Sequence, residues 1–436
     1  FRSDLPEELN AIILQATAKN PKARYMDALG MAADFRRILQ SIEHDLPPHL
    51  GSGARHDDSA QDGFSTIQLD PNTLILHQAL EPENPYKGLR AFDEADAADF
   101  FGRDALVEQL LRRMAESGPM SRFLAVVGPS GSGKSSVVKA GLIPALRRGE
   151  LPGSSRWFIA RMVPGADPFD KLEAALLSVA ADETLTPGTT LRASDRGLYD
   201  LVLRILPDDD SELVLVIDQL EEVFTLVDDD EVRAQFLHSL LFAVTQPGSR
   251  LRVVATLRAD FYDRPLMIPG LGQAIRERTE VVLPLSSQEL QEAIVGPAER
   301  AGVRLEPGLV ATIVGDVIDQ PGALPLLQFA LTELFELREG RVLTLETYER
   351  SGGVLEALAR RAEELYGMMD AARQAAIRQI FLRLVNLDDG NNTRRRVRWA
   401  ELASIAGVSR ADLQTVLDAF GKFRLLTFDH DPQTRE

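Results

Sequence analysis

The stretch Phe123-Leu-Ala-Val-Val-Gly-Pro-Ser-Gly-Ser-Gly-Lys-Ser-Ser-Val-Val-Lys-Ala-Gly-Leu-Ile-Pro-Ala-Leu-Arg-Arg148 decides the fold. Its apolar start predicts a buried strand, its end has helical spacing, and between them Gly128 to Ser135 follow the pattern G-x-x-x-x-G-K-S. Glycines let backbone N–H groups turn inward, and the start of the helix adds its dipole. The stretch therefore predicts a phosphate-binding loop, in which Lys134 reaches the β- and γ-phosphates of a nucleotide and Ser135 holds Mg²⁺.

A turn of small residues with a chance lysine is the alternative, and the complete motif between a strand and a helix argues against it. The loop residues expected to contact the nucleotide are Gly128, Ser130, Gly131, Ser132, Gly133, Lys134, Ser135 and Ser136.

Apolar runs alternate with helical patterns across the middle of the chain. Continuous apolar strands separated by helices predict an α/β fold with a parallel sheet covered on both faces. The strands are expected at 123–127, 157–162, 213–217, 251–257 and 280–285. Helices are expected near 104–116, 134–147, 168–181 and 230–245. After residue 286 the strand pattern stops and helices are expected at 287–302, 307–319, 323–338, 355–368 and 371–385. The tail, 394–428, predicts two helices around a Gly-Val-Ser turn and a short strand, which suggests a winged-helix module.

Composition excludes several classes of protein. The 436 residues contain no Cys, so a disulfide framework, a thiolate zinc site and a cysteine nucleophile are excluded, and a reducing cytoplasm is expected. A formal net charge of −18 argues against general nucleic-acid binding and against docking on anionic membrane. No apolar run approaches the length of about 20 residues that a membrane span needs.

Acidic residues follow the apolar run Leu213–Ile217 directly. A carboxylate at the carboxyl end of a buried strand lies where open α/β sheets bind ligands, so Asp218 is the expected partner of Mg²⁺. Glu221 or Glu222 would orient the attacking water, and Glu222 is preferred. For one of the two, a solvated helix start favoured by the helix dipole is the alternative.

The run Leu251–Leu257 ends in Arg258-Ala-Asp260. A guanidinium at this sheet edge can bind γ-phosphate oxygens through two hydrogen bonds, so Arg258 is a candidate catalytic residue. An ion pair with Asp260 or Asp263 is the alternative.

Several motifs occur in the order found in bacterial novel STAND NTPases, a family of signal-transduction ATPases related to the AAA+ class. They are Asn84-Pro-Tyr-Lys-Gly-Leu-Arg-Ala-Phe92, Phe100-Phe-Gly-Arg-Asp104, the phosphate loop, Ile217-Asp-Gln-Leu-Glu-Glu222 and Ala255-Thr-Leu-Arg258. From about residue 84 to 430 the chain resembles this family. The resemblance implies binding of ATP or ADP with Mg²⁺, slow hydrolysis, and a helical lever that moves with nucleotide state.

The resemblance also assigns roles to individual residues. It implies that Phe101, Gly102 and Arg103 lie against the base and ribose, and that Arg258 is the sensor arginine. Gly322-Ala-Leu-Pro325 resembles the element whose proline touches adenine, with one extra residue between glycine and proline; a helix-starting proline without a ligand is the alternative for Pro325. Arg276 and Arg278 precede the last strand, where AAA+ rings place a trans-acting arginine, although cations at a helix end need no such role.

The first residues resemble the last two helices of a bacterial Ser/Thr protein kinase, with an ordinary helical hairpin as the alternative. The motifs are Leu5-Pro-Glu-Glu-Leu9 and Ala16-Thr-Ala-Lys-Asn-Pro-Lys-Ala-Arg-Tyr25, and no kinase catalytic motif occurs in the chain. We therefore expect a piece of a longer kinase–STAND protein, with a WD-repeat sensor as the family often has. The expected organisation is a kinase fragment at 1–43, a linker at 44–83, the NTPase core at 84–286, a helical lid at 287–370 and a winged helix at 371–436.

Two functions compete at this point. The first is a signalling switch that binds ATP, self-associates on activation and responds to an unidentified protein or ligand. The second is an AAA+-like remodelling or nucleic-acid motor ATPase. An ABC-type transport ATPase is disfavoured because its LSGGQ-like element is absent between the two nucleotide-binding motifs.

Overall fold

The computed structural model describes residues 82–180, 187–320, 322–388, 391–394, 397–405, 408–422 and 425–426. The predicted kinase fragment and all but the last two residues of the predicted linker lie outside these residues.

Five parallel strands form the central sheet, as the sequence predicts. In spatial order β2, β3, β4, β1 and β5 lie side by side. Their bounds are Phe123–Gly128 (β1), Phe158–Met162 (β2), Leu213–Ile217 (β3), Leu251–Arg258 (β4) and Thr279–Val281 (β5). The fifth strand is shorter than the predicted 280–285 because Pro284 has no N–H to donate to a ladder. Val282 makes one more hydrogen bond, from its N–H to the carbonyl of Val127 at 2.7 Å.

Helices cover both faces of this sheet. Alternate side chains of β1 enter different cores: Phe123 and Val127 belong to one apolar cluster, while Leu124 and Val126 belong to another. Every residue of β3 is buried, which explains why these strands are continuous apolar runs in the sequence.

The four helices predicted between the strands are present, and the described residues add five that the sequence analysis did not predict: α4, α5, α6, α8 and α9. The first seven are α1 (Asp104–Ala115), α2 (Lys134–Ser136, a π-helical segment Val137–Leu142, and Ile143–Arg147), α3 (Pro168–Leu177), α4 (Pro187–Ala193), α5 (Gly197–Ile205), α6 (Glu222–Thr225) and α7 (Asp230–Thr245). Two further helices, α8 (Asp263–Leu266) and α9 (Leu271–Glu277), precede β5.

After β5 the chain is mainly helical, with an apolar core of its own. Its helices are α10 (Ser287–Arg300), α11 (Leu309–Val317), α12 (Leu324–Glu336), α13 (Leu345–Arg350) and α14 (Gly353–Gly367). The expectation that strands stop after residue 286 is wrong, because Arg304–Leu305 (β6) pairs in parallel with Val342–Leu343 (β7). Two-residue strands are too short to show a period in the sequence.

A further apolar core lies at the C-terminal end of the described residues. Here α15 (Ala371–Leu384) is followed by the antiparallel pair β8 (Val385–Asp388) and β9 (Asn391–Arg394), then by α16 (Trp399–Ala403) and α17 (Arg410–Lys422). The two predicted tail helices are therefore present. Of the short strand predicted at the end of the tail, only Leu425 and Leu426 are described, and they form a bend. The winged-helix module remains a prediction.

The segment before α1 joins the sheet domain to the helical region. The Tyr86 hydroxyl donates to the carbonyl of Ile294 in α10 at 2.7 Å, and the Asn84 amide donates to the carbonyl of Thr332 in α12 at 3.2 Å. On the other side, the N–H of Phe92 donates to the Ser136 hydroxyl in α2 at 3.2 Å. This segment therefore contacts both walls of the cleft described next.

Candidate functional site

The loop after β1 has the shape that the sequence predicts. Gly131 and Gly133 have φ values of +75° and +89°, a region that side chains other than glycine rarely adopt. A Cβ added at Gly131 would lie 2.7 Å from the carbonyl oxygen of Gly322, so the loop also has no room for a side chain there. Helix α2 starts at Lys134, directly after these glycines.

Lys134 is folded back onto its own loop. Its Nζ donates to the carbonyls of Gly128 at 2.9 Å and Pro129 at 2.7 Å. Only 8% of the residue is exposed, and this burial lowers the pKa of its ammonium group. The lysine is thus held at the loop by neutral acceptors, which a phosphate oxygen can replace.

Ser135 and Asp218 are in direct contact, although they are far apart in the sequence. The Ser135 hydroxyl donates to Asp218 Oδ1 at 2.6 Å, and the Thr256 hydroxyl donates to the same oxygen at 2.7 Å. The structure therefore brings together the two residues that the sequence predicts as partners of Mg²⁺. Asp218 comes from the end of β3 and Thr256 from the neighbouring β4.

Burial raises the pKa of Asp218, but Lys139 and the hydrogen bonds from Ser135 and Thr256 outweigh it, so the net pKa of this carboxyl is lowered. Lys139 Nζ lies 2.6 Å from Asp218 Oδ2. The sequence analysis missed Lys139 and the Thr256 hydroxyl. A polar residue inside the apolar run of β4 was the only available signal for Thr256, and the sequence contains none for Lys139.

The turn after Asp218 is strained. Gln219 has φ +62°, and among the described residues it is the only one other than glycine with a positive φ. Its N–H donates to Thr256 Oγ1 at 2.8 Å, and the N–H of Leu220 donates to the carbonyl of the same residue at 2.9 Å. Such strain persists where the surroundings fix the backbone, and it is concentrated at functional sites.

The two glutamates of this turn point to different places. Glu221 Oε2 accepts from the N–H of Arg258 at 3.2 Å, whereas Glu222 Oε2 accepts from the N–H of Gly165 at 3.0 Å. Burial raises the pKa of Glu221, with opposing contributions that include Lys134 and Arg258. Glu221 therefore contacts the end of β4 and lies within electrostatic range of Lys134, whereas Glu222 contacts the loop after β2.

Arg258 pairs with its near neighbour, as the alternative interpretation foresees. Its Nε lies 3.0 Å from Asp260 Oδ1, and this interaction raises the pKa of the guanidinium. Both side chains are exposed, at 40% and 53%. The pair is therefore weak and can open without a large cost in free energy.

A cavity of about 240 Å³ lies beside the phosphate loop. Its walls come from the loop, from the segment before α1, and from α10 and α12 of the helical region. The lining residues that the sequence analysis singled out are Arg103, Gly131, Gly133, Lys134, Ser135, Ser136 and Pro325. Pro325 also stands in the first turn of α12. Its position therefore agrees both with a contact to the nucleotide and with a helix-starting proline that has no ligand.

Of the two neighbours Gly102 and Arg103, only Arg103 is a lining residue of the cavity. Gly102 has φ +79° and packs so closely on α10 that a Cβ there would lie 2.3 Å from the carbonyl oxygen of Glu289. Arg103 lines the cavity and donates to the carbonyls of Ser132 at 3.2 Å and Leu283 at 2.9 Å. Arg103 thus ties the phosphate loop to the chain that follows β5, and burial lowers the pKa of its guanidinium.

The residues fit a nucleotide and Mg²⁺. The Ser132 hydroxyl is buried and has no hydrogen-bond partner among the residues that the structure describes, which suits a donor to phosphate. Ser135 and Asp218 offer neighbouring hard oxygen atoms, the ligand type that Mg²⁺ prefers. Arg278, by contrast, is 5% exposed and donates through Nε to the carbonyl of Phe123 at 3.1 Å, so it supports the sheet.

A parallel sheet with a glycine phosphate loop after β1 and an aspartate after β3 defines a P-loop NTPase. The family model described as Novel STAND NTPase 1 matches residues 85–434. The chain belongs to this family. None of the curated proteins compared with the chain matches it.

Several solved structures are similar to the chain. The Aeropyrum pernix ORC1 protein in complex with DNA has 16% identity and a TM-score of 0.43, over 75% of this chain and 85% of that chain. Drosophila ORC bound to DNA has 14% identity and a TM-score of 0.44, over 92% and 89%. A Saccharomyces cerevisiae Hsp104:casein complex has 15% identity and a TM-score of 0.39, over 65% and 46%. With TM-scores below 0.5, these similarities assign no function to the chain.

Proposed function

We propose that the protein is a signalling switch that binds ATP between the phosphate loop and the helical region and hydrolyses it slowly. One observation carries the proposal: the phosphate loop closely approaches the turn before α12, since a Cβ built at Gly131 would lie 2.7 Å from the carbonyl oxygen of Gly322. A nucleotide in this cavity touches both walls, so its occupancy biases how the helical region sits on the core.

The phosphate loop supplies the charge for binding. Lys134 exchanges the carbonyls of Gly128 and Pro129 for phosphate oxygens, and the inward N–H groups and the Ser132 hydroxyl add further donors. The start of α2 adds a favourable dipole. The bound anion thus meets a local positive site in a strongly acidic chain.

Ser135 and Asp218 would hold Mg²⁺, directly or through water. When bound, the ion neutralises charge on the phosphate oxygens. Thr256 holds the Asp218 carboxylate from the neighbouring strand, so its orientation is fixed before the ligand arrives.

Glu221 is the better candidate for orienting the attacking water. It lies within electrostatic range of Lys134, and burial raises the pKa of its carboxyl, so its carboxylate is a stronger base than that of an ordinary glutamate. Glu222 accepts a backbone N–H on the far side of the turn and supports the loop after β2. Arg258 reaches phosphate only after its exposed pair with Asp260 opens, which suits a sensor of the γ-phosphate.

The apolar part of the cavity suits a purine base. Phe101, Leu285, Ala293, Leu324 and Pro325 line it, and they come from the core and from the helical region. By resemblance to STAND proteins the base is adenine. Residues 84–286 would then form the NTPase core, 287–370 the lid and 371–436 the winged-helix lever.

The wider setting of the switch follows from the resemblances in the sequence. We propose a cytoplasmic regulator that self-associates on activation, with a kinase domain before this region and a WD-repeat sensor after it. Among the described residues, no helix combines the length and apolarity that crossing a membrane requires. The continuous reading frame on both sides tests the kinase and WD-repeat expectations.

Titration with a fluorescent ATP analogue tests the site. Lys134→Ala should weaken binding about a hundredfold or more, because it removes a buried cation from the phosphates. Lys422→Ala, at the end of α17, is the matched control and should leave affinity unchanged. Equal affinity of wild type and Lys134→Ala for the analogue would show that the nucleotide does not bind at this loop.

Turnover separates a switch from a motor. The switch should hydrolyse ATP well below about one molecule per second without a partner. Steady hydrolysis at about ten per second or more would favour a remodelling or nucleic-acid motor instead.

A further inference from the structure

Lys139 is bound to the acidic residue of the site, and no motif assigns it a role. Its Nζ lies 2.6 Å from Asp218 Oδ2, with the two side chains 21% and 5% exposed. The other oxygen, Oδ1, accepts hydrogen bonds from Ser135 and Thr256. The two oxygens of Asp218 therefore have separate partners: hydroxyls on the side of Ser135, and an ammonium group on the other.

The backbone of α2 is irregular where Lys139 stands. Val137–Leu142 forms a π-helical segment between two α-helical ones. Such segments are rare inside helices and often occur at functional sites. Here the segment carries a lysine whose ammonium group reaches β3, one turn beyond the phosphate loop.

The charge of the Lys139 ammonium group affects how strongly Asp218 attracts a metal ion. A buried carboxylate without a partner attracts divalent cations strongly, whereas one paired with an ammonium group has its charge offset. Lys139 also interacts electrostatically with Asp93, and Asp93 already pairs with Arg161. Lys139 can therefore pair with Asp218. The hydroxyls of Ser135 and Thr256 hold the Asp218 carboxylate in place independently of Lys139.

We propose that Lys139 is an internal counter-ion that keeps divalent metal off Asp218 until a nucleotide brings the metal in. The negative charge of an arriving triphosphate offsets the positive charges of Lys134 and Lys139, so a metal ion can then bind beside them. Without the triphosphate, a free cation meets two ammonium groups. Lys139 thus acts through Asp218 as a positioning residue and couples metal binding to nucleotide binding. This inference rests on the proposed function, because that function assigns the metal to Asp218.

Binding of Mn²⁺ to nucleotide-free protein tests the inference, with free Mn²⁺ measured by electron paramagnetic resonance. Lys139→Met should bind Mn²⁺ at least about tenfold more tightly than wild type, because a single charge is removed beside the carboxylate. Lys139→Arg should behave like wild type. Adding Asp218→Asn to Lys139→Met should abolish the gain, and Lys422→Met, which removes the same charge elsewhere, should produce none.

Unchanged Mn²⁺ affinity in folded Lys139→Met would overturn the inference, and so would a gain that survives Asp218→Asn. If Lys139→Met does not fold, Lys139→Gln provides the test, since its polar amide carries no charge. The same titration in the presence of a non-hydrolysable ATP analogue should show similar Mn²⁺ affinity for wild type and Lys139→Met; a gain as large as that without nucleotide would also contradict the inference.

The proposed function is tested separately. If wild type fails to bind the fluorescent ATP analogue, the proposed function fails, whatever the Mn²⁺ titration shows. If wild type binds the analogue and Lys139→Met shows no gain in Mn²⁺ affinity, only the counter-ion inference fails.

Discussion

Thr256→Val probes the hydroxyl that joins three parts of the site. This hydroxyl donates to Asp218 Oδ1 at 2.7 Å and accepts from the N–H of Gln219 at 2.8 Å, and the residue is 1% exposed. Valine has nearly the same shape but can make neither hydrogen bond. The substitution therefore removes the bond that holds the carboxylate and the bond that supports the positive φ of Gln219.

The expected size follows from these contacts. Losing a hydrogen bond to a charged group costs about 1.5–3 kcal/mol, and a neutral bond contributes about 1 kcal/mol. The apolar methyl that replaces the hydroxyl recovers part of this, so we expect a net loss of about 2–3 kcal/mol in the free energy of unfolding of the core. Thr256→Ser, which keeps the hydroxyl and loses one buried methyl group, should cost only about 1 kcal/mol.

Urea unfolding followed by the fluorescence of Trp157 measures this difference. Trp157 belongs to the core that packs on the central sheet, whereas Trp399 packs on the C-terminal core. A Trp399→Phe background therefore makes the signal report the NTPase core. If the valine and serine variants unfold at the same urea concentration, the hydroxyl does not support the Asp218 turn and the account of this site is wrong.

Two further predictions concern other contacts of the site. Gly102→Ala should destabilise the core by about 3 kcal/mol, since it adds strain at φ +79° and a clash with the carbonyl oxygen of Glu289. Gly308→Ala is the control: this glycine has φ +90° but lies in open space, so the substitution should cost only about 1 kcal/mol. Equal shifts of the thermal unfolding midpoint for the two variants would contradict the clash. Burial raises the pKa of Glu221, so the folded state holds its proton more tightly than the unfolded chain, and stability falls as pH rises from the unfolded to the folded pKa. Glu221→Gln should then raise stability at neutral pH and flatten this pH dependence; a thermal-unfolding series from about pH 4 to pH 8 that shows no difference from wild type would refute the assignment.

The phosphate loop and the sheet were predictable because their sequence signals are local. Gly128 to Ser135 contain the whole loop motif, and β3 is a continuous apolar run because it is buried on both faces. Asp218 could be placed at the ligand edge because parallel strands end together. The pairing of Ser135 with Asp218 then followed from topology.

The remaining contacts depend on tertiary structure. Nothing near Lys139 in the sequence indicates that its ammonium group reaches Asp218, since the contact requires a π-helical segment and a neighbouring strand. The positive φ of Gln219 is likewise imposed by hydrogen bonds to β4. Glu221 and Glu222 are adjacent in the sequence, and only the fold shows that one accepts from the N–H of Arg258 and the other from the N–H of Gly165.

The proposal that nucleotide sets the position of the helical region can be tested by one distance measurement. The chain contains no Cys, so spin labels at Arg204→Cys in α5 and Glu349→Cys in α13, both exposed, attach only where intended. Double electron–electron resonance should give distance distributions that differ, by on the order of 5 Å, between the ADP-bound and ATP-analogue-bound states. Lys134→Ala should abolish the difference. Identical distributions in both states, with binding of both nucleotides verified, would contradict a nucleotide-driven switch.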